Sequence, residues 1–454
     1  MVDVRLRTFP DKRAQPSLRI GTTNTSLSFS MQRAVWVMLA LSGPADTPPS
    51  PQCVHFCDLE PRYAMEVILI VDRRTFNTGV ASAVAAAALG SIGAPAKAAY
   101  RGPNVIIVRF GGGVRRAETI VEATTYAPYL INTFAKRGVL LPNMRIANIK
   151  GMDTSHAEGT INILTGRYGA WRDAGSAFLL RKIEPTAPTL FEYLRKAFDI
   201  APHEALLVNG EDRPQEEYFS FARHSQFGGD FRAEVLSLYR YKRWLYGQLL
   251  TQSNRDEKLL REIGKRLTKL ERHELPGRAP QRNASLEKFW AGWRRDYRDH
   301  GLVNPRGDRL LTELALRAMR ELRPRLMMIN YQDPDYVHWG NASHYTRAIA
   351  IIDQSLRQLV EAADRLDHYA RQTVFVVVPD CGRDANPLMG VPFQHHFNTK
   401  SAHEIWALIA GPGIVKGKVL DKTADQSQIA ATIGAAMGFR AQHAEAEAIA
   451  EVFV

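Results

Sequence analysis

From residue 100 onward, short apolar runs alternate with longer amphipathic stretches. Uninterrupted runs of mainly apolar residues are typical of strands that are buried on both faces of a sheet. Five strands are predicted, at 104–110, 205–210, 325–331, 373–380 and 404–413. Helices are predicted near 127–137, 188–199, 341–368 and 426–437. This alternation indicates an α/β fold, with a mostly parallel central sheet and helices on both faces.

Residues 231–323 break the alternation. They carry long, charged helical patterns such as RDEKLLREIGKRLTKLERHE, and no strand signal separates them. We interpret this stretch as a helical insertion, or cap, on a single α/β domain that spans 100–454.

Composition is that of a globular protein with excess positive charge. The chain has 454 residues, of which 45% are hydrophobic and 23% charged, enough for a large core. The formal net charge of +12 suggests affinity for anions. No basic block is dense enough to predict a nucleic-acid partner, and solvated Arg-rich helices are the simpler explanation.

The N-terminal region contains a pattern typical of export signals. Arg73 and Arg74 precede a neutral stretch at 78–94 and the small-residue site Ala96-Lys97-Ala98. We predict a twin-arginine-type export signal at 65–99 and a periplasmic or secreted mature protein without a membrane span. A membrane anchor is the alternative, although the stretch is short and rich in Ala and Gly. Residues 1–64 are predicted to be a non-native upstream extension or a disordered arm.

The three cysteines fall into two groups. Cys53 and Cys57 lie in the predicted extension, so Cys381 is the sole thiol of the predicted mature protein. No disulfide can form within that mature chain.

Acidic residues and histidines follow two of the predicted strands. Asp335 and His338 come after 325–331, and Asp380 ends 373–380. The following segment contains His395, His396 and His403. Because the carboxyl ends of parallel strands meet at one edge of a sheet, these groups can form a divalent-metal site. Each group alone could instead be a turn former or a helix cap; Asp335 could cap a helix near Asn341.

The order of these motifs resembles the alkaline phosphatase superfamily, which includes sulfatases and phosphodiesterases. The motifs are a Gly-rich turn after the first strand, LTGRY at 164–168, DPDYVH at 333–338, PDCG at 379–382, and a histidine before GPG at 411–413. The resemblance covers 103–440. It implies an alkaline phosphatase-like fold and metal-dependent hydrolysis of phosphate or sulfate esters.

The resemblance also implies which residues bind metal. Asp335, His338 and His403 match one metal site, and His396 is a further candidate ligand. Asp380 matches the second site, where Cys381 stands in place of the family histidine. Cys381 could bind zinc as a thiolate or be an inert, small apolar residue. Gly111 replaces another expected ligand, so we expect one intact site for Zn²⁺ or Mn²⁺ and a doubtful second site.

The nucleophile position is also altered. Family nucleophiles lie ten residues before the glycine of LTG, which here is His156; Thr154 and Ser155 are its hydroxyl-bearing neighbours. These hydroxyls could attack the ester or simply cap a helix. Water attack assisted by His156 is the alternative to a covalent intermediate.

Two hypotheses of function follow. The first is an exported hydrolase whose substrate is an anionic small-molecule or glycan ester. Arg115, Arg167 and Arg383 are then candidates for holding substrate oxygens, because guanidinium groups bind such anions bidentately. The second is a catalytically degenerate superfamily member that serves as a secreted binding protein for an anionic envelope component.

Overall fold

The computed structural model divides the chain into two compact units, Met1–Ala96 and Lys97–Val454. In the first unit the structure describes five strands: β1 Val2–Thr8, β2 Ser17–Ile20, β3 Ala34–Leu41, β4 Pro51–Val54 and β5 Ala64–Val71. In the second it describes 98–147, 154–176, 182–210, 214–252, 256–272, 283–301, 307–338, 342–384, 394–395 and 399–454. Most of the predicted export signal lies outside the described residues. That signal and the extension at 1–64 stay predictions.

The strands of the first unit form one sheet, in the order β2-β1-β5-β3-β4. Strands β3 and β5 pair in parallel, and the other neighbouring pairs are antiparallel.

The second unit is built on a central sheet. The strands of the second unit, within and outside that sheet, are β6 Ala98–Ala99, β7 Asn104–Phe110, β8 Gly138–Arg145, β9 Trp171–Asp173, β10 Ile183–Pro185, β11 Phe198–Asp199, β12 Ala205–Val208, β13 Glu234–Leu236, β14 Leu326–Asn330, β15 Thr373–Pro379, β16 Glu404–Ala410, β17 Lys418–Val419 and β18 Ala424–Asp425. The central sheet has the order β13-β12-β14-β7-β15-β16-β8-β17, and β18 also pairs with β8. Strands β13, β12, β14, β7 and β15 are parallel, whereas β16 is antiparallel to both its neighbours.

The five predicted strands are confirmed, with ends that differ by up to three residues. Strand β7 shows why its sequence has no polar alternation. Ile106 and Val108 belong to the core on one face of the sheet, and Val105 and Ile107 to the core on the other. Because successive side chains point to opposite faces, a strand covered on both sides has apolar residues at consecutive positions, as at 105–108.

Helices cover both faces of the sheet. They are α1 Arg116–Thr119, α2 His156–Thr165, α3 Leu190–Ala197, α4 Leu238–Leu250, α5 Glu257–Glu271, α6 Ala284–Tyr297, α7 Asp308–Glu321, α8 Ala342–Arg365, α9 Lys400–His403 and α10 Gln428–Met437. Three of the four predicted helices match α3, α8 and α10. The fourth, near 127–137, is a π-helical turn at Leu130–Phe134 followed by a 3₁₀ turn at Ala135–Arg137.

The predicted insertion at 231–323 is largely helical, but it is not free of strands. It begins with β13, which pairs in parallel with β12 at the edge of the sheet. Three residues are too few to show a strand period, so β13 could not be predicted from the sequence pattern. Trp293 of α6 and Leu310 of α7 belong to the same core cluster as Ile106 of β7. These helices are therefore part of the layer that covers one face of the sheet.

Among the described residues, no helix combines the length and apolar character that crossing a membrane requires.

Candidate metal centre

The carboxyl ends of β14, β7 and β15 lie side by side, because these strands are parallel neighbours. The segments that follow them, 331–338, 111–113 and 380–384, therefore meet at one edge of the sheet. The first turn of α2 joins them there and carries His156. Ligands of open α/β sheets collect at this edge.

A glycine turn after β7 surrounds the Asp380 carboxylate with backbone donors. Gly112 and Gly113 have φ values of 88° and 68°, in the left-handed region that glycine adopts at little cost. Their amides donate to Oδ2 and Oδ1 of Asp380, each at 3.3 Å. The amide of Cys381 donates to Oδ1 at 2.8 Å. The backbone of this glycine turn thus binds an anionic group, and that group is a carboxylate of the protein itself.

Helix α2 lies directly on the end of β15. Its Gly159 faces the backbone of Asp380 so closely that a Cβ would lie 2.0 Å from the Asp380 carbonyl oxygen. Ser155 caps the helix, since its hydroxyl accepts a hydrogen bond from the Glu158 amide at 3.2 Å. The cap and the close contact together fix His156, the first helical residue, over the sheet edge.

Three imidazole rings converge on one oxygen of the buried Asp335 carboxylate. The Nε2 atoms of His156, His338 and His395 lie 2.6, 2.7 and 3.4 Å from Asp335 Oδ1. One donor atom from each of the four residues lies within 4.8 Å of all the others. We call these four residues the Asp335 cluster.

The opposite nitrogen of each ring has its own partner. Nδ1 of His156 lies 2.9 Å from Asp380 Oδ2, and Nδ1 of His338 lies 2.9 Å from Gln394 Oε1. Nδ1 of His395 lies 2.8 Å from the carbonyl oxygen of Thr154. All three partners are acceptors, so a proton on each Nδ1 would satisfy them and leave each Nε2 available to a metal. Metal-binding histidines are typically oriented this way by an outer partner.

This arrangement fits a cation. With the protons on Nδ1, three Nε2 lone pairs and a carboxylate oxygen would face one another, and a cation between them would relieve the repulsion. Burial lowers the pKa of His156, but Asp380 and Cys381 outweigh it and raise that pKa to about 8. The environment therefore favours an additional positive charge at His156. Nitrogen and oxygen donors of this kind suit Zn²⁺, Mn²⁺ and related ions.

A second group, His156, Asp380 and Cys381, fits a metal poorly; we call it the Asp380 cluster. Burial, and secondly Asp380, raise the pKa of the Cys381 thiol to about 11, so it stays protonated at neutral pH. The Asp380 carboxylate already accepts hydrogen bonds from three backbone amides and from His156. Of the two roles considered for Cys381, zinc ligand and small apolar residue, the structure favours the second.

A buried arginine completes the Asp380 cluster. Arg109 of β7 is fully buried, and its Nη1 lies 3.8 Å from Asp380 Oδ2. Its Nη2 lies 3.3 Å from Glu216, and its Nη1 donates to Thr160 at 2.6 Å. Burial raises the pKa of Asp380, but His156 and Arg109 outweigh burial and hold that pKa below its ordinary range. The Arg109 guanidinium thus provides the positive charge that stabilises the ionised Asp380 carboxylate.

The structure separates the predicted metal ligands. Asp335 and His338 are in the Asp335 cluster, and Asp380 contacts it through His156. His403 is in neither cluster: it ends α9, and its Nδ1 lies 3.1 Å from the carbonyl oxygen of Ile146, beyond the end of β8. His396 lies outside the described residues.

The predicted catalytic and substrate-binding residues are also separated in the structure, and several of them form hydrogen bonds to the backbone. The Thr154 hydroxyl donates to the carbonyl oxygen of His395. Arg383 is fully buried, and its guanidinium donates to the carbonyl oxygens of Gly112, Gly113, Pro334 and Val337. Arg383 therefore links the loop that follows β7 to the loop that follows β14.

The other two arginines lie farther out. Arg115 pairs with Glu118 at 2.7 Å and remains partly exposed near the edge. Arg167 is exposed beyond the far end of α2, about 15 Å along the helix from His156. The structure therefore does not bring Arg167 to the cluster.

Sequence reasoning missed Gln394 and Arg109, and it named His395 only as one of three histidines without selecting it as a ligand. The dipeptide His395-His396 offered a signal, but neighbouring side chains of an extended chain point in opposite directions, so the sequence could not select one. Arg109 interrupts an otherwise apolar strand, and a charge buried there requires partners.

Comparisons with known proteins bear on the fold. No protein-family model matches the chain, and no curated protein sequence does. Among solved structures, alkaline phosphatase PafA is similar over 78% of this chain and 100% of its own, at 10% identity and a TM-score of 0.50. A Vibrio parahaemolyticus protein of the alkaline phosphatase superfamily is similar at 14% identity, over 76% and 68% of the two chains, with a TM-score of 0.44.

The PsFucS1 sulfatase from Pseudoalteromonas sp. is similar at 13% identity, over 82% of this chain and 72% of its own, with a TM-score of 0.43. At these identities the comparisons speak for the fold alone. The resemblance predicted from the sequence is confirmed at that level, together with the mostly parallel sheet: this chain has the fold of the alkaline phosphatase superfamily.

Proposed function

We propose that the protein is a metal-dependent hydrolase of phosphate or sulfate esters that acts at the Asp335 cluster. One observation carries the proposal: three imidazole Nε2 atoms and a carboxylate oxygen converge at the carboxyl edge of the sheet, each ring oriented by its own acceptor. The alkaline phosphatase-like fold supports the choice of reaction by analogy only.

The residues of the cluster would hold one divalent ion. Lewis-acid polarisation of the ester oxygen is the chemistry that such an ion supplies. The His338 side chain is 22% exposed, whereas His395 is fully buried. We therefore propose that substrate approaches from the His338 side.

Water is the nucleophile that we propose. The hydroxyls of Thr154 and Ser155 both form hydrogen bonds to backbone groups, and those bonds support structural roles for them. Both ring nitrogens of His156 lie against carboxylates, so in this proposal His156 is a ligand and not the base that assists water.

Elemental analysis and hydrolysis assays on the full chain test this function. We expect about one equivalent of zinc or manganese, and cleavage of p-nitrophenyl phosphate, bis(p-nitrophenyl) phosphate or p-nitrophenyl sulfate. Chelation should abolish cleavage and the same metal should restore it. Protein that takes up no metal and cleaves none of the three esters would refute the proposal.

A second function, that of a secreted binding protein for an anionic envelope component, is favoured by the number of protein donors. Four protein ligands around Zn²⁺ are typical of structural sites, whereas catalytic zinc usually keeps a position open. An ion with a higher coordination number, such as Mn²⁺, would leave positions for water and substrate. Water-proton relaxation of the Mn²⁺-loaded protein distinguishes the two: exchangeable water supports hydrolysis, and its absence supports binding.

We also propose export by the twin-arginine route and an anionic small-molecule or glycan ester as substrate. The paired arginines before a neutral stretch support the first, and the positive net charge supports the second. Fractionation of cells that express the full chain tests export: Arg73→Lys/Arg74→Lys should retain the protein in the cytoplasm.

A further inference from the structure

A basic cleft opens at the amino ends of the parallel strands, at the edge opposite the metal centre. Its volume is about 840 Å³, and α6, α7 and the residues before β12, β14 and β15 line it. At a rise of 3.3 Å per residue, β7 alone separates the two edges by about 20 Å. The cleft is therefore distinct from the Asp335 cluster.

The lining of the cleft is strongly positive. Six of its side chains are basic and two, Glu204 and Glu321, are acidic. The acids are already paired, with Arg325 at 3.6 Å and Arg317 at 2.8 Å.

A further arginine of the lining, Arg295, pairs with Asp296 at 3.3 Å, so three cations remain. Lys288, Arg320 and Arg323 are exposed and, among the described residues, form no ion pair. Burial, and then the charges of Arg325 and Arg323, lower the pKa of the His368 imidazole in the lining, which reflects the positive potential there. A concave surface of one charge sign concentrates counter-ions of the other sign.

Arg323, which lines the cleft, has an unusual backbone conformation. Arg323 follows the end of α7 with a φ of 53°, and its amide donates to the Ala318 carbonyl oxygen at 2.9 Å. Glycine is the usual residue at such a helix end. Arg323 adopts the left-handed conformation despite its steric cost, and its exposed side chain lines the cleft.

We propose that the basic cleft binds a polyanionic glycan, a chain of sulfated or phosphorylated sugars. Single-stranded nucleic acids need exposed aromatic rings on which bases stack, but the aromatic ring in the lining, Phe289, is 1% exposed. The Glu204 and Glu321 carboxylates can accept hydrogen bonds from sugar hydroxyls. The cleft would hold the domain on the polymer while the opposite edge stays accessible, and it does so whether or not the metal centre is catalytic.

Binding of fluorescent dextran sulfate to the full chain, with neutral dextran as a control, tests the proposal. We expect salt-dependent binding of dextran sulfate and none of neutral dextran. Lys288→Gln/Arg320→Gln/Arg323→Gly should weaken binding at least tenfold at 0.15 M salt. It should also reduce the slope of log Kd against log salt by about 2, since three contacts are lost. Aryl-ester cleavage should not change, which keeps this test separate from that of the hydrolase.

A matched pair of single variants controls for charge and backbone effects. Arg298 also has a positive φ, 62°, and does not line the cleft. Arg323→Gly and Arg298→Gly both remove one charge and relieve the backbone, so neither should lower the melting temperature. Only Arg323→Gly should weaken dextran sulfate binding. Equal effects of the two variants, or no binding at all, would overturn the proposal, and tighter binding of single-stranded DNA in the same cleft would overturn the glycan assignment.

Discussion

Asp335 and Asp380 are two buried carboxylates that share one histidine and have different surroundings. Asp380 accepts from three backbone amides and lies 3.8 Å from the guanidinium of Arg109. Asp335 Oδ1 faces the nitrogens of His156, His338 and His395. Backbone amides already bind the Asp380 carboxylate, which therefore positions the ligand His156. The Asp335 oxygen faces imidazole nitrogens, so it can itself bind a metal.

The difference also explains why one metal, and not two, suits this edge of the sheet. A metal at Asp380 would have to displace hydrogen bonds that the fold already provides, and Arg109 would repel it. A metal at Asp335 would relieve a convergence of lone pairs. Four substitutions, with effects of decreasing size, test this contrast.

Arg109→Met removes the cation beside Asp380 and should cause the largest change. Two carboxylates, Asp380 and Glu216, would remain buried without it, so the free energy of unfolding should fall by about 3–5 kcal/mol. Urea denaturation measures this. The exposed Arg167→Met is the control and should change it by no more than about 0.5 kcal/mol. A loss of less than about 1 kcal/mol for Arg109→Met, typical of a surface pair, would contradict the assigned role of the guanidinium.

His395→Ala removes one nitrogen of the Asp335 cluster. Even an outer partner of a ligand is worth about 10–100-fold in metal affinity, so loss of a ligand should exceed about 100-fold. Competition with a chromophoric chelator measures this affinity. His403→Ala is the matched control, because His403 bonds to the Ile146 carbonyl and lies in neither cluster. Metal loss in the His403 variant with retention in the His395 variant would reverse our assignment.

Gln394→Ala should weaken metal binding about 10–100-fold by releasing Nδ1 of His338, which Gln394 Oε1 orients at 2.9 Å. Gln394→Glu keeps an acceptor at the same place and should restore most of the affinity. A purely structural role for Gln394 predicts instead that the two variants lose stability without this difference in metal affinity.

Cys381→Ser should have the smallest effect on metal binding. The buried thiol has a raised pKa and remains protonated, so it offers no thiolate to lose. Metal content should be unchanged, and the affinity should stay within about threefold, equivalent to roughly 0.6 kcal/mol. Loss of metal from this variant would show that the Asp380 cluster, too, takes part in coordination.

The architecture was accessible from the sequence where burial leaves a pattern. Strands such as β7 and β15 are covered on both faces and show this as continuous apolar runs. Strand β13 has three residues, below the length at which a period is visible. The antiparallel direction of β16 depends on how the chain returns to the sheet, which no local pattern encodes.

The candidate site was only partly predictable. Asp335 and His338 lie three residues apart after one strand, so a single short motif contains both. His395 had to be chosen over His396 and His403, and that choice depends on side-chain direction in a loop. The role of Asp380 depends on amides of a glycine turn more than 260 residues away in sequence, a contact that only the folded sheet creates.

The contact between Gly159 and the backbone of Asp380 makes the metal centre sensitive to a residue that has no side chain. A single methyl group at position 159 would lift α2 from β15 and move His156 away from both carboxylates. Genetic screens for lost metal uptake should therefore recover changes at this glycine as readily as changes at the histidines themselves. The distance between α2 and β15 determines where His156 lies relative to the two carboxylates. That distance is possible only because residue 159 has a hydrogen atom in place of a side chain.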